Sequence, residues 1–419
     1  MTEVRDRGVL ATEAGVAILQ RALARTENDR GKCWTQIDLA AKAKVSDRTV
    51  RRFLKRESPV DIVTGEAICQ ALNVDFESVV EFVVSEPDKN GQKRTDPFNP
   101  FTAGSPVSAN RFYGRKRTIA DLKNRIGARS AQCINLVGLR RSGKTSMLRY
   151  VQAKPKLFFV VGQNPLIVNL DLQDQRYHSP IGMIEGLRVA IQAAMGEEPW
   201  RAEQNNDPFA IEDGLEVVRD RGFRLIVMLD ELEAIGRRLE EFQDWGEDWR
   251  SKASAGLFAL VIATGRSLGE VYGSLGLTSP FDNIFSKTML GALEDLEWRL
   301  LVQDGLPRID DTALSWIDDV AGGWAFYVQM AAEIIWKEGD LNEAGREFRY
   351  QTDDRFRALW KDLKPKEQGA VRMLVQTGNA IDIDKGMGDR LLRYGVLRKD
   401  GQLFSSVFGE WILENGGAV

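Results

Sequence analysis

The stretch Gly138-Leu139-Arg140-Arg141-Ser142-Gly143-Lys144-Thr145 follows the template GxxxxGK[ST], between a short apolar run, Cys133–Val137, and a helical pattern over 146–153. Glycines let the backbone curl so that successive N–H groups point at a phosphate. A lysine at this spacing reaches the β and γ oxygens, and the hydroxyl after it can coordinate Mg²⁺. Gly138, Arg141, Ser142, Gly143, Lys144, Thr145 and Ser146 are therefore the candidate phosphate-binding residues. Arg140 and Arg141 are expected to anchor phosphate or to pair with a neighbouring carboxylate.

Chemistry on a bound phosphate needs a second, acidic strand end. The run Leu225-Ile226-Val227-Met228-Leu229 ends in Asp230-Glu231, at the carboxyl end of a buried strand, where ligands bind in open α/β sheets. Asp230 is the candidate metal ligand with Thr145. Glu231 is the candidate base that polarises water for in-line attack, and the alternative is that the pair caps a helix starting near Leu232. The next apolar run ends in Thr264-Gly265-Arg266. Thr264 either senses the γ-phosphate by bonding the attacking water or ends its strand, and Arg266 reads as a solvated loop residue rather than a finger.

The elements that must position these groups occupy a chain of 419 residues, too long for one ordinary core. A net charge of −4 argues against nucleic-acid or membrane affinity spread over the whole surface. Cys33, Cys69 and Cys133 have neither zinc spacing nor a disulfide framework, which fits a reducing cytoplasm. His178 is the single histidine and leaves no second imidazole for a metal cluster. No signal-peptide pattern and no run of about 18 apolar residues is present, so a membrane partner is not expected.

Residues 1–85 read as helices throughout, with apolar residues at helical spacing over 9–23, 37–42, 49–54, 65–72 and 76–84. Residues 86–111 hold Pro87, Pro97, Pro100 and Pro106 among polar residues and read as a linker. Over 112–291, apolar strand patterns alternate with helical ones, which predicts an α/β core with a parallel sheet. Residues 292–362 return to helices. Residues 363–419 carry two helical patterns and then a hairpin turn at Asp400-Gly401, which predicts a winged helix.

The segments 112–122, 137–149, 168–172, 225–233 and 322–329, in that order, resemble the STAND and archaeal-type P-loop ATPases of the AAA+-related group. The resemblance spans roughly residues 112–415. It implies a P-loop NTPase core that takes ATP and Mg²⁺, a helical lid, and a C-terminal winged helix that packs on the ATPase. It places Phe112, Gly114 and Arg115 near the adenine, although Lys116 and Arg117 stand where the family has an acidic residue. The family's lid motif is Gly-x-Pro; this chain has Gly322-Gly323-Trp324-Ala325, which reads equally as a helix boundary.

Residues 36–53 read as a helix-turn-helix, with Val45-Ser46 at the turn and Ser46 as N-cap of the second helix. The candidate DNA-binding residues are Lys44, Ser46, Arg48, Thr49, Arg51, Arg52 and Lys55, because positive charge gathers on the helix that would meet phosphates and bases. The pattern resembles phage-repressor-like domains, with Lys44 where a glycine is usual. The alternative is a helical module that docks a protein through a solvated basic face. Three functions follow as expectations: an ATP-dependent switch with a DNA-binding output; an ATPase adaptor whose N-terminal helices dock a separate effector protein; or a ring-forming AAA+ remodeller. The first and third allow nucleotide-dependent homo-oligomers.

Overall fold

The computed structural model describes residues 8–26, 33–43, 45–56, 60, 62–83, 99–236, 243–274, 280–378 and 383–416. The chain forms two compact units, Met1–Pro97 and Phe98–Val419.

In the first unit, β1 (Gly8–Ala11) and β2 (Val80–Val83) pair antiparallel, with Gly8 opposite Val83 and Ala11 opposite Val80. This corrects the all-helical expectation at both ends of the unit. Valines at helical spacing are also valines on alternate faces of a short strand, and the pairing partner lies about seventy residues away, outside any local window. Between the strands run helices Glu13–Arg25, Gln36–Ala43, Asp47–Leu54, Ile62–Ala71 and Phe76–Val79. Thr12 starts the first of them by accepting a hydrogen bond from the Gly15 N–H at 2.8 Å. Val9, Leu19, Leu39, Val50, Phe53 and Ile68 are fully buried at the centre of the unit.

The second unit is built on five parallel strands: β3 (Cys133–Val137), β4 (Asn164–Asp171), β5 (Phe223–Asp230), β6 (Ala259–Thr264) and β7 (Phe285–Met289), in the spatial order β4-β5-β6-β3-β7. Burial on both faces explains the unbroken apolar runs. Leu225, Val227, Leu229, Leu260 and Ile262 face one core, while Ile226, Met228, Ala259, Val261 and Ala263 face the other. The sheet is thus a parallel α/β core of the expected class. Chain order reverses around β3, so the carboxyl ends of β3 and β6 open the crevice where such sheets take ligands.

Helices Asp295–Gly305, Asp311–Ala321, Ala325–Glu338 and Leu341–Asp362 follow the sheet, and then Pro365–Thr377, Lys385–Tyr394 and Ser406–Asn415. Around Asp400-Gly401 the hairpin shrinks to one antiparallel bridge, Leu397 with Leu403, closed by the Arg398 N–H donating to the Gln402 carbonyl at 2.8 Å. Tyr327, Phe348, Phe356, Phe404 and Phe408 pack ring against ring, so these helices share one aromatic core. Residues 99–111, inside the range read as linker, belong to this unit. Phe101 is 5% exposed in the same core, and the Thr102 N–H donates to Gln329 Oε1 at 2.9 Å. Prolines excluded helix and strand there, but an extended strap with one aromatic anchor satisfies them too.

Candidate functional site

At the end of β3 the chain turns tightly. The Gly138 N–H donates to the Thr264 carbonyl at 3.0 Å, and a Cβ on Gly138 would collide with the Ser142 hydroxyl. Gly143 has φ 101°, open to glycine at little cost, and opens the helix Lys144–Ala153 without any side-chain cap. The N–H groups of that first turn therefore remain free for an anion. Lys144, 6% exposed, folds back over the loop and donates to the Gly138 carbonyl at 2.9 Å. A buried ammonium held only by carbonyls is poised to exchange them for phosphate oxygens.

Beneath the loop, β5 delivers Asp230, 2% exposed. Burial pushes its carboxyl above the ordinary range, while the Thr145 hydroxyl and Lys144 pull against that and Glu231 and Asp171 reinforce it. Its Oδ1 has no hydrogen-bond partner among the described residues. An orphaned buried carboxylate oxygen beside a hydroxyl fits a divalent cation that completes its shell with phosphate oxygens and water. No cluster of three or more His, Cys, Asp or Glu suited to a metal occurs among the described residues, so Thr145 and Asp230 would hold such an ion only together with a bound phosphate. Glu231 follows with φ 56°, a left-handed conformation rare for a non-glycine residue. Such strain persists where the surrounding structure imposes it, and it turns Glu231 into the cavity.

That cavity, of about 550 Å³, is lined by Arg140 to Ser146 of the loop, by Glu231, and by Phe112 and Arg115. Phe112 stacks on Tyr150 with ring centroids 4.4 Å apart. Gly114 lies against the Glu297 side chain and does not line the cavity. Arg115 is 8% exposed and braces the loop: its guanidinium donates to the Gly291, Ala292 and Ser142 carbonyls at 2.6, 3.2 and 2.8 Å. Burial lowers its pKa to about 10, with Glu297 pulling the other way. Ser146 is occupied too, its hydroxyl accepting from the Val107 N–H at 3.2 Å.

Thr264 is fully buried and lies outside the cavity lining; its hydroxyl accepts from Asn135 Nδ2 at 2.7 Å. Gly265 and Arg266 reach the cavity instead. Arg266 is not the solvated loop residue expected. Its side chain is 14% exposed and forms a two-pronged pair with Glu367, because a β-strand end in this fold faces the C-terminal helices rather than solvent.

Of the lining residues that the sequence assigned no role, Tyr113, Glu233 (which accepts from the Gly265 N–H), Phe326 and Gln329 lie inside the segments that carry the resemblance, whereas Gln173 after β4 and Asp362 lie outside them. The aromatic-anchored strap 102–107 closes over the same cavity. Glu233 had a further clue, its place in the acidic run after β5.

In the first unit, Ser46 caps the helix Asp47–Leu54, accepting from the Thr49 N–H at 3.1 Å, and its hydroxyl also pairs with the Thr49 hydroxyl at 2.7 Å. Arg51 and Lys55 are exposed, whereas Arg52 is half-buried. Lys44 and the side chain of Arg48 lie outside the described residues. No helix among the described residues is long and apolar enough to cross a membrane.

No protein-family model matches the chain. An uncharacterized WD repeat-containing protein of Nostoc sp. is 28% identical over 123 residues, which are 28% of this chain and 10% of that protein. The chain thus matches about a tenth of the length of that relative. Among solved structures, a Walker-type ATPase of Pyrococcus abyssi superposes with a TM-score of 0.55 at 12% identity, over 75% of this chain and 99% of that one. The ORC1 protein of Aeropyrum pernix, in complex with DNA, gives a TM-score of 0.42 at 14% identity, over 77% and 96%. The first of these likenesses shows a shared fold, a parallel α/β core with its following helices.

Proposed function

We propose that this chain is an AAA+-related, STAND-like molecular switch that binds ATP with Mg²⁺, hydrolyses it slowly, and passes its nucleotide state to a DNA-binding helix-turn-helix in the first unit. The observation that supports it most is the shared cavity: the phosphate loop forms one wall, while Ala325, Phe326 and Gln329 of the following helices and Asp362 form another. A ligand that touches both walls biases how they pack, and that differential contact is what a switch requires.

In this reading Gly138, Arg141, Ser142, Gly143, Lys144 and Thr145 cradle the phosphates, and Phe112 and Arg115 lie toward the base. Mg²⁺, held by Thr145 and Asp230, would neutralise charge on the phosphate oxygens. Glu231 polarises the attacking water, with Gln173 and Glu233 beside it. Residues 292–362 act as the lid and 363–419 as a winged helix packed on the ATPase. On the helix Asp47–Leu54, Arg51 and Lys55 present charge to DNA, with Ser46 and Thr49 at its N-terminus.

A second reading has its own support. Ile37, at the start of the helix Gln36–Ala43, is 70% exposed, and Ile18 is 41% exposed, which favours docking of an effector protein. Ring assembly is less favoured, because Arg266 is engaged by Glu367 within the chain and is not free to act on a neighbour's nucleotide.

The test is nucleotide content of the purified chain, followed by light scattering with ATP, ADP and neither. A switch changes state between the two nucleotides; a permanent ring keeps one size in all three. Absence of any nucleotide affinity refutes the proposal.

A further inference from the structure

Arg141 occupies an unusual position in the phosphate loop. It holds a left-handed backbone at φ 66°, and its guanidinium lies 4.1 Å from the centroid of the Phe326 ring. It makes no hydrogen bond or ion pair with any described residue. Its neighbours differ: Arg140 pairs with Asp362 at 3.2 Å, and Arg115 is saturated by carbonyls. Arg355 approaches the same ring at 5.7 Å, so Phe326 has two guanidinium neighbours. Burial holds the Arg141 pKa below the ordinary arginine range, the Arg355 and Arg140 charges add to this, and Tyr327 opposes it.

A guanidinium that lines a cavity, is still open to solvent, is crowded by like charge and has no carboxylate partner among the described residues is available to an anion. The face of an aromatic ring offers it only a weak electrostatic substitute. A phosphate oxygen pair would satisfy it with two charge-assisted hydrogen bonds, a far stronger contact. Phosphate and ring therefore draw on one side chain. The ring belongs to the helix Ala325–Glu338, at the second residue of its first turn.

We infer that Arg141 is the residue that reads the terminal phosphate of a nucleoside triphosphate, and that Phe326 transmits its engagement to the helix Ala325–Glu338. This rests on the switch reading above and adds to it the regulatory contact. When Arg141 turns to phosphate, Phe326 loses its cation and the helix is released from the loop; with a diphosphate the contact persists. Coupling is reciprocal, so whatever weakens the ring contact must favour the triphosphate.

The experiment uses the full chain in four forms: wild type, Arg141→Gln, Phe326→Leu and, for comparison, Arg140→Gln. Calorimetry with Mg²⁺ compares ADP with a non-hydrolysable ATP analogue, and amide hydrogen exchange follows residues 325–338. Wild type should prefer the triphosphate and change its exchange over that helix only with the triphosphate. Arg141→Gln should lose about tenfold or more of the triphosphate preference. Arg140→Gln should retain the preference. Phe326→Leu should bind the triphosphate at least as tightly yet show no nucleotide-dependent exchange difference.

An unchanged triphosphate-to-diphosphate ratio in Arg141→Gln overturns the sensing role, and an undiminished exchange difference in Phe326→Leu overturns the transmission. Wild type that binds both nucleotides separates these failures from failure of the function itself; wild type that binds neither sinks both. If Arg141→Gln melts early, Arg141→Lys replaces it. Lysine keeps the charge but neither stacks nor forks, and the same loss of preference is expected.

Discussion

Arg266 and Glu367, 101 residues apart, meet in a two-pronged ion pair with N–O distances of 2.8 and 2.6 Å. Glu367 is 1% exposed and receives a third hydrogen bond from Arg390 Nε at 2.6 Å, while Arg266 also lies 4.6 Å from the Tyr394 ring. Beside them Glu270 takes Lys364 at 2.6 Å and Arg390. The strand end that borders the phosphate loop is thus bolted to the C-terminal helices by charge.

Removing one partner of a buried pair leaves the other uncompensated. Glu367→Gln should destabilise the chain by about 3 kcal/mol. Chemical denaturation of the variant and the wild type checks this; a difference below about 1 kcal/mol would mean that the pair adds nothing beyond packing.

Acid should open the same junction. Burial alone would raise Glu270 and Glu367, but hydrogen bonds from Lys364 and Arg390, and from Arg266, outweigh it and hold both below the usual 4.5, Glu270 at about 2. Depressed carboxyl pKa values contribute stability that is present above the unfolded value and lost as pH falls through the folded one. Stability should therefore decline from pH 4.5 toward about 2. In Glu270→Gln the decline in urea midpoint over that window should be shallower.

Lys144→Ala removes the ammonium that reaches from the Gly138 carbonyl toward phosphate. ATP binding should be lost while the circular dichroism spectrum stays that of the wild type. Wild-type affinity by calorimetry would move the nucleotide site elsewhere.

Glu231 combines strain with chemistry. Glu231→Gln should keep ATP binding and cut hydrolysis by about 10²-fold or more, because the amide has the shape but not the basicity. Glu231→Gly should also abolish hydrolysis yet raise stability by about 1 kcal/mol, since glycine accepts φ 56° without cost. Turnover assays and thermal melts separate the two effects; an unchanged rate in Glu231→Gln reduces the residue to a cap.

On the helix Asp47–Leu54, exposure ranks the basic residues. Arg51→Ala with Lys55→Ala should weaken DNA binding by about 1–3 kcal/mol per good contact and lower its salt slope, whereas Arg52→Ala, half-buried, should do less. A binding-site selection with the full chain at ~0.15 M salt decides the output: no enriched motif would favour the docking of a protein at Ile37 instead.

Local chemistry was legible in the chain itself. The phosphate loop, the apolar run into Asp230-Glu231 and the sheet strands each announce themselves within a few residues, because a glycine pattern or a strand buried on both faces is a short-range property. Tertiary structure alone decided the rest. The pairing of Gly8–Ala11 with Val80–Val83, the strap anchored by Phe101, the burial of Thr264 behind Asn135, and the partnership of Arg266 with Glu367 all join residues far apart in sequence. Periodicity reports which face of an element is apolar, but which distant group covers that face or answers a charge is set by how the elements pack.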